Sequence, residues 1–146
     1  MVEKHLAKTR KFKVEDINQI LEIEKQAFPK TVFSKATLLN YAKRLPDTFI
    51  VVQSGKEIVG YIIFDGTGHI HSTVVKKPYR RMGFGKMLFM YASRCAKKGL
   101  WLEVRSENRE AIKFYKRLGM KIVGKIPNYY VDDHALMMCL EKEIPP

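Results

Sequence analysis

The chain is short of cysteine, of acid and of long apolar runs, and each shortage removes a class of protein. Cysteine occurs only as Cys95 and Cys139, too few for a disulfide framework and without metal-ligand spacing. Both lie in apolar patterns, which predicts buried free thiols and a reducing, cytoplasmic setting. No apolar stretch nears the ~20 residues that cross a bilayer, so no membrane partner is expected. The basic segment Met1 to Lys13 leads into no apolar core, so no secretory signal is expected either. Repeats, linkers and low-complexity stretches are missing too. Acidic residues number 15 against 27 Lys plus Arg, which leaves a net charge of +12. Such a field attracts nucleic acid, a ribosomal surface or a phosphorylated cofactor without choosing among them, and a solvated lysine-rich surface reads the same way. What is present, 146 residues of which 46% are apolar, suffices for one globular domain over residues 1–146.

Periodicity gives the elements. Ala7 to Lys13 reads as a first strand. Asp16 starts a helix whose apolar residues include Ile17, Ile20, Ile23 and Phe28, with Pro29 as its stop. Ser34 caps a second helix, and Pro46 closes it. Phe49 to Gln53 and Ile58 to Phe64 form a hairpin around Ser54-Gly55-Lys56, and Ile70 to Val75 is a further strand. An amphipathic helix begins at Phe84, with Gly99 as its C-terminal stop. Leu100 to Val104, a short helix ending at Gly119, Ile122 to Ile126 and Ala135 to Leu140 complete a mixed α/β order: an antiparallel meander, then a strand-helix-strand-helix unit.

The segment Arg80-Arg81-Met82-Gly83-Phe84-Gly85 runs from the basic loop after a strand into a helix. Two glycines let backbone approach a bulky anion, the amides of the first helical turn point at it, and Arg80, Arg81 and Lys86 add charge. A di- or polyphosphate site is the physical expectation. It is neither a Walker loop nor the dinucleotide fingerprint, whose third glycine falls here on Leu88.

This Arg-x-x-Gly-x-Gly signature after a strand resembles the acetyl-CoA loop of the GNAT acetyltransferase superfamily. The likeness runs through Leu102-Glu103-Val104-Arg105, Asn108, Phe114-Tyr115, Leu118-Gly119 and Asn128-Tyr129-Tyr130, and upstream through Asp16, Glu24, Phe28-Pro29 and Val59-Gly60-Tyr61. It is nearest to the RimI-type and archaeal protein N-terminal acetyltransferases. The resemblance implies a mostly antiparallel central sheet, splayed at the cofactor site, with helices on both faces. It also implies acetyl-CoA as co-substrate, held by Thr73, Val74 and Val75, by the loop Arg80, Arg81, Met82, Gly83, Phe84, Gly85 and Lys86, and by Asn108. Glu103 becomes the general base and Tyr115 the acid for the departing thiolate. Reference values of about 8.5 for a thiol and 10 for a phenol make that transfer feasible. Tyr129 and Tyr130 line a peptide slot. The stretch Ile126-Pro127-Asn128 departs from the arginines common in the RimI branch, and Pro78 directly precedes Tyr79.

Each role has a plainer counterpart. Alternation places Trp101 and Glu103 on one strand face, where Glu103 either meets the cleft or pairs with Arg105 at the surface. The valines also read as β-core, Asn108 as a helix cap, Tyr115 as core and the tyrosine pair as loop packing. His69 and His71 share a strand face, yet no third ligand is obvious, so no metal is expected. The acceptor implied is the α-amino group of a protein N-terminus, a ribosomal protein among the candidates. A lysine or small-molecule amine is the alternative within the superfamily. A non-catalytic basic RNA- or ribosome-binding module is the alternative outside it, but no nucleic-acid-binding motif is present and no specific nucleic acid is expected.

Overall fold

Alternation along one strand sets the layers of the molecule. In the computed structural model, which describes residues 7–28 and 33–141, strand β2 (Phe49–Ser54) is buried on both faces. Phe49 and Val51 point to one core, with Ile17, Ile20 and Ile23 of helix α1 (Ile17–Ala27) and Leu38 of helix α2 (Lys35–Arg44). Ile50 and Val52 point to the other, with Phe84, Leu88, Phe89 and Ala92 of helix α3 (Phe84–Cys95). Each of the larger of these side chains contributes about 1.5–3 kcal/mol by leaving water, and the three-to-four-residue spacing on α1 and α3 keeps them on one helical face.

Strand β1 (Ala7–Lys11), β2, β3 (Glu57–Phe64) and β4 (Ile70–Val75) form an antiparallel sheet in sequence order. Strands β5 (Gly99–Arg105), β6 (Lys121–Tyr130) and β7 (Asp133–Glu141) form a second antiparallel sheet in the order β5-β7-β6, with helix α4 (Arg109–Arg117) between β5 and β6 in the chain. The sheets meet where β4 begins: His69 and Trp101 make an isolated parallel bridge, and the Trp101 N–H donates to the Gly68 carbonyl at 2.9 Å. A Cβ on Gly68 would overlap the Gly99 carbonyl oxygen, and one on Gly99 would overlap that of Leu140. Both glycines also sit at positive φ, +85° and +118°, so backbone contact closes this end of the seam. Beyond it β4 and β5 share no ladder.

The expected GNAT architecture is therefore present, a mixed fold with antiparallel strands, a splay and helices on both faces. The caps hold as well: the Ser34 hydroxyl accepts from the Thr37 amide at 3.1 Å, and Asn108 accepts from that of Ala111 at 3.1 Å. Three expectations are corrected. Gly99 does not stop α3, which ends at Cys95 with Ala96 already extended; it opens β5 instead. Cys95 is exposed and Cys139 partly so, because they fall at the edges of the apolar stripes. β6 extends past Ile126 to Tyr130, its reach hidden by a largely exposed face and two register shifts against β7. The expected stop Pro29 lies outside the described residues.

Two carboxylates anchor the first helix. Arg10 grips Asp16 with two hydrogen bonds of 2.8 and 2.9 Å. Burial would raise the Asp16 carboxyl, but Arg10 and the Lys13 amide outweigh it and hold it below its ordinary value. Glu24, buried one turn before the helix ends, accepts from the Tyr61 hydroxyl of β3. Its burial outweighs that bond and pushes the carboxyl up. We predict that Asp16→Ala destabilises the fold by about 3 kcal/mol in urea unfolding, by leaving Arg10 without its partner. Because the folded Asp16 value is depressed, its stabilisation is full above the unfolded value of about 3.9 and is lost as pH falls through the folded one. The gap between Asp16→Asn and the unmodified chain should close on acidification.

Candidate active site

The open end of the β4–β5 seam leads into a cavity of about 390 Å³. Thr73, Val74 and Val75 line one wall, and Asn108, Ala111 and Tyr115 of the α4 region line another. Arg80, Arg81, Gly83, Gly85 and Lys86 form its mouth at the start of α3. The loop takes its shape from local constraints. Glu57 accepts from Lys76 at 2.7 Å and from the Tyr79 hydroxyl at 2.6 Å, which ties the loop's start to β3. The Arg80 Nε folds back to the Val75 carbonyl at 3.0 Å. Arg81 and Gly83 turn the chain at φ of 64° and 89°, and Gly83 is the N-cap of α3, so no cap side chain covers the first helical amides. At Gly85 a Cβ would lie 3.0 Å from the Phe114 ring.

Eleven cofactor residues were expected, and nine line the cavity. The other two, Met82 and Phe84, pack toward the core under α3, leaving only their backbone to the loop. Lys113 and Arg117 also line the cavity and were missed. They lie four residues apart on α4, a spacing that presents one face and was readable in advance.

Glu103 pairs with His69 and not with Arg105, which pairs with Asp132. Its Oε2 lies 2.8 Å from the His69 Nε2, with both side chains more than four-fifths buried. Sequence reasoning did not pair His69 with Glu103. The His69 ring stacks on Trp101 at 3.9 Å, so the two strand ends fix the imidazole plane. Beside it, the His71 Nε2 lies 2.8 Å from the Asp65 carboxylate. Burial would raise the Asp65 carboxyl, but hydrogen bonds from Thr67, His71 and the Thr67 and His69 amides bring it down to about 2.

Tyr115 is buried, and burial, with Tyr130 nearby, pushes its phenol well above the ordinary value. It therefore stays protonated, and full proton transfer to a thiolate is more costly than the reference values suggested. The group is better suited to donating a hydrogen bond. Tyr129 and Tyr130 pack edge to face at 4.9 Å, with the Arg105 guanidinium 4.3 Å from the Tyr130 ring centre. Burial raises both phenols, and the neighbouring Glu103 charge raises them further. The pair thus stands close to Glu103.

The acetyltransferase (GNAT) family model matches residues 16–120, and the chain belongs to that family. It is an N-acetyltransferase. It is 33% identical over 142 residues to an uncharacterized N-acetyltransferase of Methanocaldococcus jannaschii, covering 92% of this chain and 90% of that one. It is 30% identical to the N-alpha-acetyltransferase of Sulfurisphaera tokodaii, covering 84% and 85%. The crystal structure of Ard1 from Thermoplasma volcanium superposes with a TM-score of 0.82 at 30% identity, over 93% of this chain and 97% of that one.

Gly85→Val should abolish acetyl-CoA binding measured by calorimetry, since the side chain enters the phosphate path. Lys113→Ala and Arg117→Ala should each weaken binding several-fold at low salt and less at high salt. Salt-independent affinities would place the phosphates elsewhere.

Proposed function

We propose that the protein transfers the acetyl group of acetyl-CoA to the α-amino group of a protein N-terminus. The observation that carries this reading is the His69–Glu103 pair, close to Tyr129 and Tyr130.

The cavity fits the co-substrate on its own terms. The amides at the start of α3, with Arg81, Lys86, Lys113 and Arg117, suit a pyrophosphate, and the absence of a ladder between β4 and β5 leaves strand-edge groups for an amide-bearing arm. Acetyl-CoA, when bound, supplies an activated thioester: the acceptor nitrogen bonds the acetyl carbon, the carbon–sulfur bond breaks, and the sulfur leaves as a thiolate that takes its proton from water. The chain's residues manage the protons and the approach. Glu103, oriented by His69, takes the proton that the amine sheds, directly or through one water. Tyr115 donates a hydrogen bond to the departing sulfur. A terminal amine, with a reference value of about 7.7–8.0, needs less help from a carboxylate than lysine at about 10.4. Tyr129 and Tyr130 supply rigid apolar walls with hydroxyls for an extended peptide. The basic surface draws acceptors with acidic residues downstream.

Paired peptides test the acceptor: one with a free α-amine and an acetylated lysine, the other with those modifications reversed. Faster reaction of the free α-amine is expected; faster reaction of the lysine ε-amine would overturn the reading. Glu103→Gln should cut turnover about 100-fold with acetyl-CoA affinity nearly intact, and Tyr115→Phe should cut it roughly tenfold. Wild-type rates in both variants would remove these roles.

A further inference from the structure

The turn before β4 supplies the third ligand that the sequence hid. Asp65, His69 and His71 each offer a donor atom, and these atoms lie within 4.8 Å of one another. We propose that they form an inhibitory binding site for Zn²⁺, built beside the catalytic pair.

The site is organised before any cation arrives. Asp65 Oδ1 accepts from the Thr67 amide at 2.9 Å and from the Thr67 hydroxyl at 2.6 Å, which leaves Oδ2 to face His71. The two histidines alternate on one face of the strand, with ring centres 4.4 Å apart. Each ring is held by an aromatic neighbour, His69 by Trp101 at 3.9 Å and His71 by Tyr41 at 5.3 Å. All three ligand residues are partly buried, shielded from bulk water yet reachable. Two imidazoles and one carboxylate suit zinc, whose ligand bonds of about 2.0–2.2 Å require the three donors to draw in slightly. The fourth position is open for water. Outer hydrogen bonds of the Thr67 kind orient ligands at such centres.

Binding has a direct consequence for the neighbour. Through Nδ1, His69 can ligate the cation while its Nε2 keeps its contact with Glu103, a carboxylate–histidine–metal chain. Zinc therefore lowers the basicity of the proposed base through the shared imidazole and sets a positive charge next to the place where an ammonium group must arrive. This inhibitory effect rests on the proposed role of Glu103; the binding itself does not.

Zinc chloride titrated into the full chain, followed by calorimetry and by the imidazole resonances in NMR, tests the site. One equivalent should bind and shift the His69 and His71 signals. Asp65→Asn and His71→Gln should each weaken binding at least about tenfold, while Cys95→Ser leaves it unchanged. No saturable binding, equal affinity in both site variants, or loss of binding in Cys95→Ser would overturn the site. On an acceptor that the protein acetylates, zinc should stop the unmodified chain, whereas Asp65→Asn, compared with its own zinc-free rate, resists. A rate unaffected by saturating zinc would overturn the inhibitory role. Should no acceptor react at all, the function proposed above fails, and calorimetry and NMR still decide the metal site.

Discussion

The close backbone contact at Gly68 and Gly99 is the constraint on which the rest depends. It lets two sheets touch at one point, bridged by His69 and Trp101, and run on without a shared ladder. A side chain at Gly68 would meet the Gly99 carbonyl oxygen and push the sheets apart where they must meet, and one at Gly99 would meet that of Leu140 and disturb the β5–β7 pairing beside the contact. Because the contact is confined to one end, Thr73–Val75 and the α4 wall frame a cavity at the other. The same contact brings His69 of one sheet within 2.8 Å of Glu103 of the other. The candidate cofactor cavity and the His69–Glu103 pair are thus two results of one seam.

Charge is arranged around that seam with purpose. At the first helix Asp16 is matched by Arg10, and before the phosphate loop Glu57 is matched by Lys76 and Tyr79. Matching fixes those segments. At the cavity mouth the cations Arg81, Lys86, Lys113 and Arg117 gather instead, a local share of the net charge of +12. The uncharged pole is Tyr115, whose burial keeps its proton in place.

Much of this was legible in the sequence because it is local. Ser34 and Asn108 cap helices through bonds that span three residues, and the Arg80–Gly85 loop carries its own turn chemistry. The continuous apolar runs of β2 and β3 suit a sheet covered on both faces. What escaped depends on distant pairing. His69 meets Glu103 across 34 positions, and nothing near either residue announces it. Asp65 reads as a turn residue until the turn folds it back toward His71. Gly99 passed for a helix stop because a glycine's tight approach to another strand has the same local signature as a cap. The Lys113–Arg117 pair is a different case: its spacing was visible, but a charged helix face ordinarily means solvent.

The most direct test of the seam is the structure of the protein with a conjugate joining CoA to a peptide N-terminus. The account predicts that the CoA arm lies between β4 and β5, with the pyrophosphate at the start of α3. The sulfur then falls beside the Tyr115 hydroxyl, and the peptide nitrogen is within one water of the His69–Glu103 pair. A conjugate whose arm bypasses the seam, or whose peptide nitrogen lies far from Glu103, would contradict it.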